Sequence, residues 1–314
     1  MAGIWIYSET KDVADQLLTE GRKAADALNE KVNVIALPDQ DAKDYIAKGA
    51  DHVVQFSAKN DWPEAYAPAI ADVLAKAEPT AVFFGGTLRG KTVAAYVAAK
   101  LNAGYANNVT KVTVDGGKLV VERAMYGGKA VGTEELGKGS VVSVEPRTFD
   151  AAAADASRTG DVETNDAAVE SKVTVANAKP VVHEGGDLAS APVVVSIGRG
   201  LDLDDKDKKD MKLAEDLAAK FPGAMIGCSR SVAEDYNWLP ADRYIGISGA
   251  KVKPQLYIAI GISGQIQHVV GMTGSKVIVA VDRNENAPIF SVCDYGIVGD
   301  LHKVVPLLTK ALSK

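Results

Sequence analysis

The sequence is poor in cysteine. Only Cys228 and Cys293 occur among 314 residues, far apart and outside any CxxC. That scarcity excludes a disulfide framework, an iron–sulfur cluster and a cysteine-rich zinc site. Histidine is also sparse: His52, His183, His268 and His302 have no second His or Cys at ligand spacing, so no metal site is expected. Positive charge is in deficit, with a formal net charge of −6, whereas a nucleic-acid partner requires a basic face. No apolar run reaches the ~18–20 residues of a membrane-spanning helix. Met1–Tyr7 lacks the basic start and apolar stretch of a signal peptide. A cytoplasmic protein without membrane insertion is expected, and any electron carrier in it must be an organic cofactor.

What is present is an Ala-, Val- and Gly-rich chain, 47% hydrophobic and 6% aromatic, long enough for two domains. Short apolar runs alternate with helical patterns. Residues 4–7 read as a strand, 13–28 as a helix, 32–37 and 52–56 as strands. A helix follows from Trp62-Pro63 to about Ala77, then a strand at 80–84 and a helix at 91–101. This alternation predicts a parallel sheet. Beyond Asn107 the grammar changes: 109–114 and 119–124 flank Asp115-Gly116-Gly117 as an antiparallel hairpin, and 141–144 is another strand. From 149 to about 172 the chain is Ala/Asp/Thr/Ser-rich and without apolar period. We therefore expect an α/β fold of an N-terminal parallel-sheet domain (1–148), a linker or arm (149–190) and a C-terminal doubly wound α/β domain (191–314). In the last, strands are expected at 192–196, 256–260 and 277–281, a charged helix at about 206–221 and a helix at 301–312.

Two motifs compete for the chemistry. Gly85-Gly86-Thr87-Leu88-Arg89-Gly90-Lys91-Thr92 fits G-x-x-x-x-G-K-[ST] between a strand and a helix, and Asp282 ends an apolar strand as a magnesium-ligating Asp would. A P-loop nucleotide hydrolase is one reading, an ordinary Gly-rich turn the other. The second constellation is denser. Gly198-Arg199-Gly200, Gly227-Cys228-Ser229-Arg230, Gly246-Ile247-Ser248-Gly249 and Gly261-Ile262-Ser263-Gly264 are expected at strand ends, where open α/β sheets bind ligands. Each joins a glycine, which lets backbone approach a ligand, to a hydroxyl or guanidinium. The Ser263 loop leads into an expected helix, Gln265–Val270, whose first N–H groups suit a pyrophosphate. Gly198-x-Gly200 lacks the third glycine of a conventional NAD fingerprint, and no G-x-S-x-G elbow makes Ser229 and His268 a hydrolase pair. A lone histidine such as His268 is, on general grounds, more often a structural hydrogen-bonder than a reactive group.

The series VVVSIGRG, GCSRSVAED, WLPADRYIGISG, KPQLYIAIGISGQIQHVVGM and SKVIVAVDRNENAPIFSVCDYGIVGDLHKVVPLL spans about Val193 to Leu308. It is similar to the C-terminal half of electron-transfer flavoprotein alpha subunits and resembles their FixB-type branch, associated with acyl-CoA and carnitine metabolism. Thr87-Leu88-Arg89-Gly90-Lys91 and Met125-Tyr126-Gly127-Gly128 agree in the N-terminal half. The former resembles a family turn without P-loop function. The resemblance implies a heterodimer with a smaller beta subunit and an FAD held by the C-terminal domain. It implies electron shuttling between an acyl-CoA dehydrogenase-type flavoenzyme and a further partner, such as a quinone oxidoreductase or a ferredoxin. An electron-bifurcating, NADH-oxidising assembly is the related alternative. By resemblance, Arg230 lies over the isoalloxazine, Ser248 donates toward flavin N5 or O4, and His268 approaches flavin O2. Ser263 with the backbone of Gly264 and Gln265 holds the pyrophosphate or ribityl oxygens, Ser229 assists at the phosphates, and Asp300 meets the adenosine end. Two positions depart from the family: Ile247 replaces a glutamine, and Asp282 stands where asparagine is usual, which directs it toward a ribose hydroxyl or away from phosphate.

Overall fold

The computed structural model describes residues 2–313 except 127–128, 180–185 and 206–207. The two glycines after Tyr126, His183 and the Lys206 end of the expected charged helix thus lie outside the described residues. The chain divides into two compact units, Met1–Ala178 and Lys179–Lys314.

In the first unit, the chain runs β1 (Ile4–Tyr7), α1 (Lys11–Leu28), β2 (Val32–Ala36), α2 (Ala42–Ala47) and β3 (His52–Phe56). It continues through α3 (Ala67–Ala77), β4 (Ala81–Gly85), α4 (Leu88–Leu101), β5 (Tyr105–Asp115), β6 (Lys118–Met125), β7 (Ala130–Glu135), β8 (Ser140–Val144) and β9 (Asp161–Asn165). Among the described residues these strands form one sheet in the order β7-β6-β5-β8-β4-β1-β2-β3-β9. Side chains alternate across a strand, so Ile4 and Ile6 of β1 join the core with Leu17 and Leu18 of α1, while Trp5 and Tyr7 join Ile70 and Leu74 of α3 and Val93 and Val97 of α4. Cover on both faces explains the uninterrupted apolar runs of the central strands β1 and β4.

Two expectations change here and one holds. The helix expected from Trp62 is split into a 3-10 turn (Pro63–Tyr66) and α3, because Pro68 has no N–H to continue an α-helical ladder. The hairpin of β5 and β6 is present, and β7 extends it antiparallel. The stretch read as a linker from 149 belongs, as far as Ala178, to this unit, with β9 pairing parallel to β3. At a sheet edge DVETN is exposed on both faces, so it carries none of the apolar alternation by which a strand is recognised.

The second unit contains β10 (Val193–Ile197), α5 (Lys209–Ala218), β11 (Met225–Cys228), α6 (Arg230–Glu234), β12 (Leu256–Ile260), α7 (Ile266–Val269), β13 (Ile278–Asp282), β14 (Tyr295–Val298) and α8 (Leu301–Ala311). Its sheet is wholly parallel, in the order β11-β10-β12-β13-β14. The order reverses between β10 and β12, and such a switch point opens a crevice at the carboxyl ends of the strands. One face is packed by Ala214 and Leu217 of α5 with Leu301 and Val305 of α8, the other by Val194, Tyr257, Val269 and Met272. The charged helix starts only at Lys209 because Lys208 is left-handed, at φ 50°. The helix expected at 265–270 is a single turn, α7. No described helix is long and apolar enough to cross a membrane.

Candidate functional site

At the carboxyl ends of the second sheet lies a cleft of about 1070 Å³, at the upper end of what small-molecule sites occupy. Segments following all five strands of that sheet line it, with Tyr244–Ser248 closing one side. Ser229, Arg230, Ile247, Ser248, Ser263, Gly264, Gln265, His268, Asp282 and Asp300, distant in sequence, all stand on its walls.

The floor is backbone against backbone. A Cβ on Gly200 would lie 2.5 Å from the Cα of Gly261, and one on Gly261, whose φ is +62°, 2.8 Å from the Cα of Gly200. Gly200 N–H donates to the Gly261 carbonyl at 2.8 Å. Side chains are excluded there, and the ends of β10 and β12 close up beneath the cleft. Gly264, at φ +81°, is held equally close to the Ile289 backbone, whose N–H donates to the Ser263 carbonyl at 3.0 Å.

Of the polar groups, Ser229 caps α6 and keeps its Oγ buried without a hydrogen-bond partner. Arg230 begins α6, is 68% exposed and pairs with Glu234 at 2.5 Å. The Gly246–Gly249 loop does not follow a sheet strand as expected. It is pinned by the bridge of Ile245 to Ala250 and by Ile247 N–H to the Gln267 carbonyl at 2.8 Å, which turns the Ile247 side chain out to 49% exposure. Ser248 accepts from the Tyr244 hydroxyl through its backbone carbonyl at 2.6 Å. Gln265 is the N-cap of α7, its carbonyl taking the His268 N–H at 2.9 Å.

His268 is only 7% exposed. Its Nε2 lies 2.7 Å from the Tyr257 hydroxyl, and its Nδ1 is buried without a hydrogen bond of proper geometry. Burial pushes its pKa down to about 4, the Ile245 backbone opposing the shift, so the imidazole is neutral near pH 7. Asp282 Oδ1 accepts the Asn284 N–H at 2.9 Å, a local turn that occupies one carboxylate oxygen. Asp300 caps α8: its Oδ1 accepts both the backbone N–H of His302 and its Nδ1, each at 2.9 Å, and these bonds hold its carboxyl below the usual range.

Three residues were not singled out as site residues from sequence. Arg199 and Arg283 line the cleft, and Tyr257 stands behind His268. Arg199 was visible within its Gly-Arg-Gly loop, and Arg283 follows Asp282 directly. Tyr257 carried no signal, since an apolar strand disguises one buried hydroxyl.

The competing phosphate loop is spent internally. Gly86 N–H donates to Val144, and Gly90 and Lys91 N–H donate to Thr87. Lys91 Nζ bonds Glu145 at 2.7 Å and Asn108 at 2.8 Å. Arg89 lies over Trp62 and pairs with Glu64. Those three N–H groups and the lysine are therefore engaged within the protein instead of cradling a phosphate.

The cleft suits a dinucleotide: it has a glycine floor for close backbone approach, two buried orphan polar atoms and guanidinium groups at its walls. Comparison with known proteins agrees. Residues 5–170 match the electron transfer flavoprotein domain and residues 187–273 the electron transfer flavoprotein FAD-binding domain. Protein FixB of Escherichia coli O1:K1 / APEC is 41% identical over 318 residues, covering 99% of this chain and 98% of that one. Protein FixB of Salmonella paratyphi A is 39% identical over 318 residues, covering 100% and 99%. Among solved structures, the glycotransferase of kitacinnamycin covers 99% of this chain and 93% of its own with a TM-score of 0.30 and 9% identity, too slight a likeness to argue from. The chain belongs to the electron-transfer flavoprotein alpha-subunit family, of the FixB type, and its cofactor is FAD.

Proposed function

We propose that this chain pairs with a beta subunit and holds one FAD in the cleft of its second unit. The pair would pass electrons between an acyl-CoA dehydrogenase-type flavoenzyme and a further redox partner, a quinone oxidoreductase or a ferredoxin. The observation that carries this reading is the convergence of segments following all five strands on one cleft, whose lining residues Ser229 and His268 each keep a buried polar atom, Oγ and Nδ1, without a hydrogen-bond partner.

FAD, when bound, supplies reversible electron storage; the protein's part is binding, orientation and electrostatics. Arg199 and Arg283 would hold the pyrophosphate, with the Ser229 hydroxyl and the backbone of Gly264 and Gln265 as further donors. Asp300 and Asp282 each keep a carboxylate oxygen for hydroxyls of the ribose or ribityl chain. Arg230 and Ser248 would stand by the redox-active ring, and the His268 imidazole would offer its ring N–H to the flavin. Ile247 would offer the ring an apolar contact where a polar one is usual in the family. No residue needs to act as acid or base on a carbon substrate.

The test is the visible spectrum of the chain co-expressed with its beta subunit, with chromatography of the released cofactor. One FAD per pair is expected. Two would instead assign the complex to NADH-oxidising electron bifurcation, and a colourless complex that takes up no added FAD would overturn the reading.

A further inference from the structure

His268 reaches the cleft from a single helical turn, yet a flavin contact demands an imidazole fixed in plane and in tautomer. The α7 turn supplies little of that rigidity. Tyr257 supplies it from the other side. It lies in the middle of the sheet, with Val194 of β10 opposite on one flank and Ile278 of β13 on the other, and its N–H donates to the Val277 carbonyl at 2.8 Å. Its side chain is fully buried among Val194, Val269 and Met272. The ring tilts 57° to the imidazole with centroids 6.3 Å apart, which brings the hydroxyl onto Nε2 at 2.7 Å.

We propose that Tyr257 is the positioning residue for His268: its hydroxyl donates to Nε2, which fixes the ring plane, keeps the imidazole's own proton on Nδ1, and presents Nδ1–H to the flavin. The proposal rests on the FAD reading above.

Three observations support that proton direction. Burial raises the pKa of Tyr257 far above its ordinary value, so its hydroxyl always carries a proton to give. His268 is neutral and therefore has one proton to place. The Ile245 backbone beside the ring favours a ring N–H, and with Nε2 accepting from Tyr257 that N–H is on Nδ1. This is also the buried atom without a bond. Donation into Nε2 polarises the imidazole and makes Nδ1–H the better donor. A neutral donor of this kind strengthens as negative charge develops on its partner, without the cost of burying a cation.

The experiment uses the full chain in its complex with the beta subunit, labelled with ¹⁵N-histidine. Only four histidines occur, and His268→Gln identifies the signal. In the flavin-free wild-type complex, His268 is expected as a single neutral tautomer, protonated on Nδ1 and unchanged from about pH 8 to about pH 5.5, because its pKa lies near 4. Tyr257→Phe keeps the ring and removes only the hydroxyl. It is expected to give a mixture of tautomers and, once loaded with FAD, about a tenfold weaker preference for reduced flavin, about 59 mV for one electron. An Nε2-protonated wild-type ring overturns the proposal, as does a Tyr257→Phe complex with unchanged tautomer and potential. Those outcomes leave the FAD reading intact if the complex still holds one FAD. A complex that takes up no FAD overturns both.

Discussion

Gly200 and Gly261 face each other across the switch point of the second sheet, each leaving no room for a Cβ on the other. Because the obstacle on both sides is backbone, neither clash can be relieved by turning a side chain. Gly200→Ala is expected to part the ends of β10 and β12, costing about 1–3 kcal/mol of stability and weakening FAD binding at least tenfold. Gly261→Ala adds the strain of a left-handed φ and should be the worse of the two. Flavin titration and thermal unfolding of both variants measure this; FAD affinity unchanged in both would show that the floor does not govern binding.

The two described histidines of the second unit's site give stability opposite pH slopes. His268 has a folded pKa near 4, below its unfolded value of about 6.5. As pH falls from about 6.5 to about 4 the unfolded chain takes up a proton that the folded chain refuses, so stability drops, by roughly 2–3 kcal/mol from this group. His302 lies between Asp300 and Asp210, 2.9 Å from each, and those carboxylates raise its pKa. Its contribution is full below about pH 6.5 and is lost as pH rises through the raised value. Denaturant melts across pH should show the acid-side slope shrink in His268→Gln and the slope above about pH 6.5 shrink in His302→Gln. The reverse assignment would show that the two environments are misjudged.

Lys91 tests the phosphate-loop motif directly. With Nζ on Glu145 and Asn108, it ties the start of α4 to the first half of β5 and to the residue that follows β8. Lys91→Ala should cost about 1–2 kcal/mol of stability, while neither parent nor variant turns over ATP or GTP with magnesium. Hydrolysis in the parent that is lost in the variant would restore the nucleotide-hydrolase reading.

What the sequence made legible follows from how residues advertise themselves. Central strands such as Leu256–Ile260 are apolar on both faces and bounded by turn residues, and they stand out. The Gly-Arg-Gly and Gly-Ser loops announce where backbone must approach something closely. β9 did not stand out, because an exposed polar edge strand has no apolar alternation. The order β11-β10-β12-β13-β14 is likewise invisible in the chain, since pairing partners are chosen in space, and only that order shows why loops after β10 and β12 share a floor. The internal engagement of Lys91 was hidden too, because its partners Asn108 and Glu145 lie 17 and 54 residues away.

Arg230 provides the sharpest electrostatic test of the site. It lines the cleft, and in the structure its Nε bonds Glu234 one helical turn on at 2.5 Å. The charge that a bound flavin feels from Arg230 is therefore set by two residues. Removing the cation in Arg230→Ala leaves Glu234 as an uncompensated anion near the ring, so reduced flavin, the more negative form, should be disfavoured about tenfold, about 59 mV for one electron. Glu234→Gln removes the counter-charge and should shift the potential in the opposite direction by a smaller amount, since solvent already screens so exposed a pair. Spectroelectrochemical titration of the three complexes reads both shifts, and added salt should shrink them together. If both variants move the potential the same way, or neither moves it, Arg230 is not the residue that sets the charge at the flavin.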